Sequence, residues 1–494
     1  MRPLAAFLLL TVALSAQVAD KPEARPNILF ILGDNWAWPH AGAYGDKNAR
    51  TPAFDRLARE GVLFDHVFNP APSCSPCRAS ILTGRPVHML GERASLWSGF
   101  PKDTPVFTQL LRASGYAIGY SGKPWAPGDA KVSGWDENPV GPKFGSFDEF
   151  LGKVAGGQPF FFWLGNTDTA TRAGKRPFVS IAQEAGLKPE DMVVPAGLPD
   201  CEATRMDMLN YYGGVISLDR ETARAYDALK SAGLLERTLI VCCSDNGWQL
   251  PRGLGNCYDR GSRVPMAVRW PAECLSRHRP AQSGLRSGTF ISLTSLGPAF
   301  LRCAGIEPPY AMSWVREGTG TLAGRPRPTY DSAHAFRLED AVFIERERHA
   351  DVRAGHLSYP MRAVREKDWL YVRNLRPDRW PAGDPDILFL HGRPFGDVDT
   401  TATKDFLLAH RDDALGRPYF DLIFGKRPAE ELYDLREDPE QLRNVAADPT
   451  PRRQEALHRL RASLDRWMRQ TKDPRVDPKY DKWDEYPYYG KAPK

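Results

Sequence analysis

The chain has 494 residues, 42% of them hydrophobic and 26% charged. That balance excludes a disordered polypeptide, and the length excludes a single small module. Lys and Arg number 66 against 61 Asp and Glu, a net charge of +5. The basic residues are spread along the chain rather than clustered, so no nucleic-acid partner is expected.

Arg2, the apolar run Leu4 to Leu14 and the small residues Ser15 and Ala16 read as a secretory signal peptide cleaved near Ala16. Residues 1–19 are taken as that peptide and the start of a linker, which predicts a secreted or periplasmic protein. The run is shorter than the ~20 residues of a membrane helix, and no later stretch is long and uncharged enough, so no membrane span is expected. Asn27 to Leu32 then reads as a buried strand ending at Gly33 and Asp34. Thr51 and Pro52 open a helix that stops at Gly61, and Val62 to Phe68 is the next strand. Thr104 and Pro105 repeat the opening, with Gly115 closing that helix before a strand from Tyr116 to Tyr120. Phe160 to Leu164 is a further apolar run, Asp207 to Ala232 a long helix, and Leu239 to Cys243 a strand that ends in Ser244-Asp245-Asn246-Gly247. Cys242 and Cys243 should face opposite sides of that strand.

This alternation predicts an α/β protein with a large, mostly parallel sheet flanked by helices over residues 26–305. Past Gly305 the texture becomes rich in Pro and Arg. Met361 to Arg365 and Trp369 to Asn374 form a hairpin pattern, Pro377 to Asp399 a long surface loop, and Pro451 to Gln470 a closing helix. Residues 306–494 are therefore expected to hold a smaller C-terminal α+β part with an antiparallel sheet. Two domains are expected in all.

Ligands of open α/β sheets bind at the C-terminal strand ends, where Gly33-Asp34-Asn35 and Ser244-Asp245-Asn246-Gly247 fall. Two carboxylates and two amide oxygens suit a hard cation such as calcium, with magnesium the alternative. Either motif alone is more often a turn or a helix cap. Between them lies Cys74-Ser75-Pro76-Cys77-Arg78-Ala79-Ser80-Ile81-Leu82-Thr83-Gly84-Arg85. As bare spacing this is a C-x-x-C pair, a redox dithiol or half of a zinc site, with no second pair to complete the latter.

The same string resembles the signature of the type I sulfatases, members of the alkaline phosphatase superfamily, in which the cysteine of C-x-P-x-R is converted to formylglycine. Cys74, Pro76, Arg78, Thr83 and Gly84 stand at the family spacing, and the usual Ser is Cys77, which invites a competing disulfide with Cys74. Pro26-Asn27-Ile28-Leu29-Phe30, Arg263-Val264-Pro265 and Glu431-Leu432-Tyr433-Asp434-Leu435 are similar to further family segments. The likeness within the family is greatest to bacterial proteins known as heparan N-sulfatases or arylsulfatases.

The resemblance implies a sulfatase-like hydrolase of sulfate esters or sulfamates, on a sulfated small molecule or glycan. It implies a calcium site made by Asp34, Asn35, Cys74, Asp245 and Asn246, and catalytic roles for Cys74, Arg78 and Lys123. Substrate would be bound by Lys123, Arg172 and Arg263. A formylglycine-generating enzyme is the implied partner in maturation. The chain departs from the family pattern at four places: Asn35 replaces an Asp, Trp125 and Ala170 replace His, and Leu254 replaces Lys. These departures leave two alternatives, a catalytically impaired sulfatase fold that binds sulfated glycans and a phosphoester or phosphonate hydrolase of the same superfamily. A substitute acid or base would come from His40, His66, His88, His334, His349 or His356, although any single one of these more often reads as a surface or structural histidine. Arg172, Arg260 and Arg263 are anion ligands or salt-bridged surface residues.

Overall fold

The computed structural model describes residues 25–170, 176–271, 284–309, 312 and 340–490. The expected signal peptide, Arg172 and His334 lie outside the described residues. Seven strands, β1 (Asn27–Gly33), β2 (Val62–Phe68), β3 (Ala117–Gly122), β4 (Phe160–Asn166), β5 (Thr238–Ser244), β6 (Met266–Arg269) and β7 (Leu285–Ser292), form one sheet in the order β3-β4-β1-β5-β6-β2-β7. β6 runs antiparallel to β5 and β2, and every other pairing is parallel. The central strands β1, β4 and β5 are buried along their whole length, which explains their continuous apolar runs.

Helices cover both faces. On one, α1 (Pro52–Glu60) and α4 (Glu202–Ser231) pack Phe54, Leu57, Leu209 and Val215 against Leu29, Ile31 and Cys242. On the other, α2 (Cys74–Thr83) and α3 (Phe107–Ala113) pack Ile81, Leu82, Phe107 and Leu111 against Phe30, Val241 and Cys243. The adjacent cysteines thus serve opposite cores. α3 starts two residues later than Thr104-Pro105 suggested, because the Thr104 hydroxyl is engaged by Arg85 and Asp103 and Val106 takes the N-cap position.

A second, antiparallel sheet has the order β11-β10-β9-β8, from β8 (Ala341–Arg346), β9 (Met361–Glu366), β10 (Trp369–Asn374) and β11 (Glu430–Asp434). One face packs on α5 (Pro451–Gln470) through Val364, Tyr371, Leu432, Leu457 and Leu460. The other meets Phe68, Tyr258 and Phe290 of the first unit through Ile344, Met361 and Val372. The two units are also joined by buried charges: His88 Nδ1 lies 2.8 Å from Glu345 Oε2 and 3.9 Å from Asp473 Oδ2, and Arg362 Nε, within the second unit, donates to the same Asp473 oxygen at 2.6 Å. The segment Pro377 to Asp399 is not wholly a surface loop. Its end is drawn inward where buried Asp397 accepts from Arg346 and Arg353, both at 2.5 Å. Among the described residues, no helix is long and apolar enough to cross a membrane.

Candidate active site

β1 and β5 are parallel neighbours with Gly33 opposite Ser244, so Asp34 and Asp245 leave the sheet side by side. The two exits are tied together: Asp245 N donates to Gly33 O at 3.1 Å, Asn35 N to Asp245 Oδ1 at 3.1 Å, and Trp36 N to Ser244 Oγ at 2.8 Å. Asn35 has φ 70, a left-handed conformation that Asn tolerates better than most side chains. Gly247 is required sterically, since a Cβ there would collide with the Arg260 carbonyl.

Cys74 is the first residue of α2, and its Sγ lies 3.5 Å from Asp34 Oδ1 and accepts from Asn246 Nδ2 at 3.4 Å. Asp34, Cys74 and Asp245 offer ligand atoms that all lie within 4.8 Å of one another. Cys74 and Cys77 are both free thiols in this structure. One turn after Cys74, on the same face of α2, the fully buried Arg78 donates through Nε to Asp245 Oδ2 at 2.7 Å and through Nη2 to Asp34 Oδ1 at 3.4 Å. Its Nη1 donates to the carbonyls of Lys123 and Pro124 at 2.8 and 2.9 Å. Lys123 follows the end of β3 and donates through Nζ to Asp34 Oδ1 at 2.5 Å.

Burial pushes the Asp34 carboxyl up, but Lys123 and Arg78 together hold it below the usual carboxylate range. Asp245 is pushed up to about 6 by burial, against the pull of Arg78. Burial, reinforced by Asp34, drives the Cys74 thiol far above its ordinary value. Burial therefore disfavours the thiolate of an unmodified Cys74, which is its nucleophilic form.

The donor set can be tested against a cation directly. Asn35 Oδ1 and Asn246 Oδ1 are buried and lack any hydrogen-bond partner, next to two buried carboxylates. Orphaned amide oxygens are costly unless something electropositive meets them. Four hard oxygen residues with no imidazole ligand among them fit calcium or magnesium rather than zinc.

The departures from the family pattern are also placed. Trp125 is buried against Phe100 and donates Nε1–H to Ser75 O at 3.2 Å, so it clamps α2 and carries no transferable proton. Ala170 presents only a methyl group, although its neighbour Thr169 donates Oγ1–H to Asp34 O at 2.7 Å. Leu254 is buried. Arg263 does not join the cluster: it donates to Asp65 O at 2.6 Å and lies over the Trp38 ring. Arg260 pairs with Glu440.

Of the histidines, His40 lies 2.9 Å from the Tyr211 hydroxyl and is lowered to about 4 by burial. His66 stacks on Phe290, His88 belongs to the interface between the units, and His356 pairs with Asp351. His349 alone among the described histidines bonds a residue next to Cys74, with Nδ1 2.8 Å from Ser73 Oγ. Sequence reasoning singled out neither Ser73 nor Thr169. It also missed Asp399, which accepts from Gln249 and whose carboxyl is pushed up by burial and by Asp34.

A profile of the sulfatase family matches residues 26–160 and 146–306, together more than half of the chain. The chain belongs to the sulfatase family. It is 29% identical to human N-sulphoglucosamine sulphohydrolase over 92% of each chain, and 25% identical to an ulvan-active sulfatase of Formosa agariphila over 90% of this chain and 75% of the other. A solved structure bound to its substrate, D-glucosamine-2-N,6-O-disulfate, superposes with a TM-score of 0.58 at 16% identity, covering 92% of this chain and 99% of that one. The mixed seven-stranded sheet with its appended antiparallel sheet is thus a sulfatase fold, and sulfatases are sulfuric ester hydrolases.

Proposed function

We propose that this sulfatase hydrolyses sulfate esters or sulfamates of carbohydrates, with formylglycine formed from Cys74 and a divalent cation held by Asp34, Asn35, Asp245 and Asn246. The observation that carries the reading is the convergence of Cys74, at the start of a buried helix, with two carboxylates, two orphaned amide oxygens, Arg78 and Lys123. The curated relatives, named for a sulfoglucosamine and for ulvan, support a sugar as the carrier of the sulfate. The amino-terminal pattern supports export to the periplasm or beyond, and the Cys74 motif supports maturation by a formylglycine-generating enzyme.

A hydrated aldehyde at position 74 supplies a hydroxyl nucleophile that a buried thiol lacks, and a route to release sulfate by restoring the carbonyl. A bound calcium or magnesium supplies Lewis-acid stabilisation of charge at the same place. The remaining work falls to the chain's own residues. Arg78 is locked by four hydrogen bonds and keeps both carboxylates fixed as charges build up between them. Lys123 presents an ammonium whose pKa is held above its ordinary value by Asp34, against the pull of burial, so it stays charged to meet sulfate oxygens. Asn246 orients residue 74 through Nδ2, and Trp125 fixes α2 beneath it.

A second reading, a protein that binds sulfated glycans without turnover, is favoured by Trp125, Ala170 and Leu254, none of which donates a proton to a leaving group. Assay of nitrophenyl sulfate separates the two. Protein bearing formylglycine should cleave it above the Cys74→Ala background; glycan binding with no cleavage would leave the second reading standing.

A further inference from the structure

Ser is a residue type that caps helices with its own hydroxyl, accepting an amide of the first turn. Ser73 sits at the N-cap of α2 yet accepts no such bond. Its Oγ lies 2.8 Å from His349 Nδ1 instead. The imidazole is 5% exposed and firmly placed. Its flanks are held by Leu96 N donating to Arg348 O and Ala350 N donating to Asp397 Oδ1, both at 2.9 Å. Its ring lies close to Gly255, whose amide donates to Pro72 O at 2.8 Å. Burial, with Arg346 and Arg353 acting in the same direction, lowers His349 to about 4, so the ring is neutral at neutral pH.

The consequence falls on the first turn of α2. Pro76 has no N–H, so the unpaired amides of the first turn are those of Cys74 and Ser75, both residues buried and neither amide donating to an acceptor among the described residues. The Ser75 hydroxyl is likewise buried without a partner. Buried donors of this kind are expensive to leave unmet, and at a helix N-terminus they suit an anion.

We infer that His349 is a positioning residue: by holding the Ser73 hydroxyl away from α2, it keeps the Cys74 and Ser75 amides and the Ser75 hydroxyl open for a sulfate oxygen. The inference rests on the sulfatase reading for the identity of the anion. It gives a loop of the second unit, far from Cys74 in sequence, a part in substrate binding.

The test is the binding of inorganic sulfate, read by calorimetry on the full chain carrying unmodified Cys74, so that it does not depend on turnover. In His349→Ala the released hydroxyl caps Ser75 N–H and competes with the anion, and affinity should fall about fivefold, the usual worth of a cap. His349→Gln retains a hydrogen-bonding group and should recover most of the loss. The double variant His349→Ala with Ser73→Ala has no hydroxyl left to close the turn, and it should bind as Ser73→Ala does, more tightly than His349→Ala alone. A double variant as weak as His349→Ala, a Ser73→Ala protein equally weakened, or a wild type that binds no sulfate would each overturn the inference. Failure of the sulfatase reading would show separately, as absent aryl sulfate turnover by formylglycine-bearing wild type.

Discussion

Arg78 Nε donates to Asp245 Oδ2 at 2.7 Å, and neither side chain is exposed to solvent. The same guanidinium reaches Asp34, so one cation holds two carboxylates that arrive from adjacent parallel strands. Removing it leaves two buried like charges facing each other. Arg78→Ala should lose about 3–5 kcal/mol of stability, the usual cost of breaking a buried pair. Denaturant unfolding measures the loss, and added calcium should recover part of it if the cation binds where proposed.

Asn35 contributes one orphaned amide oxygen where a carboxylate would add charge. Asn35→Asp should bind calcium more tightly, by about tenfold for one added carboxylate near the site. It should also be less stable than the wild type in chelator, where the new charge faces Asp245. Calorimetric titration of calcium into chelator-treated protein checks the first outcome, and thermal unfolding with and without the ion checks the second.

His88 makes stability depend on pH in the direction opposite to most carboxylates. Burial alone would lower its pKa, but Glu345 and then Asp473 hold it above the ordinary 6.5. A group whose folded pKa is raised contributes fully below its unfolded value and loses that contribution as pH rises through the folded one. Stability of the wild type should therefore fall above about pH 6.5, and His88→Gln should flatten that decline while costing about 3 kcal/mol in mild acid. Unfolding followed at a series of pH values tests both statements.

The residues that replace the family's proton donors set a pattern of substrate preference. Trp125 is committed to Ser75 O, and Ala170 and Leu254 carry no proton. General acid catalysis contributes about 100- to 10,000-fold, and leaving groups that depart without protonation escape that penalty. Aryl sulfates should be turned over faster than alkyl sugar sulfates by a comparable factor, as parallel kcat/KM measurements would show. Equal rates on both would mean that another group protonates the leaving atom.

Much of this was legible in the sequence because it is local. β1, β5 and α2 are short runs whose ends carry the functional residues, and parallel strands must deliver Asp34 and Asp245 to the same edge. The helix Pro451–Gln470 and the hairpin of β9 and β10 fall where periodicity placed them. Arg263 was expected at the substrate; its guanidinium is held by Asp65 O and lies over Trp38, contacts that spacing does not reveal. The loop ending at Asp399 looked polar and exposed; burial of Asp397 depends on Arg346 and Arg353, partners that spacing does not reveal. His349 could not be distinguished from five other histidines, since only packing of the second sheet on the first brings it to Ser73.

The central claim is that chemistry begins at residue 74, and the most direct measurement relates activity to the state of that residue. Preparations made with differing amounts of the modifying enzyme would be graded by peptide mass spectrometry for formylglycine at position 74, then assayed with nitrophenyl sulfate. The account predicts initial rates proportional to formylglycine occupancy and extrapolating to zero at none. Full activity in protein whose Cys74 remains a thiol would contradict it.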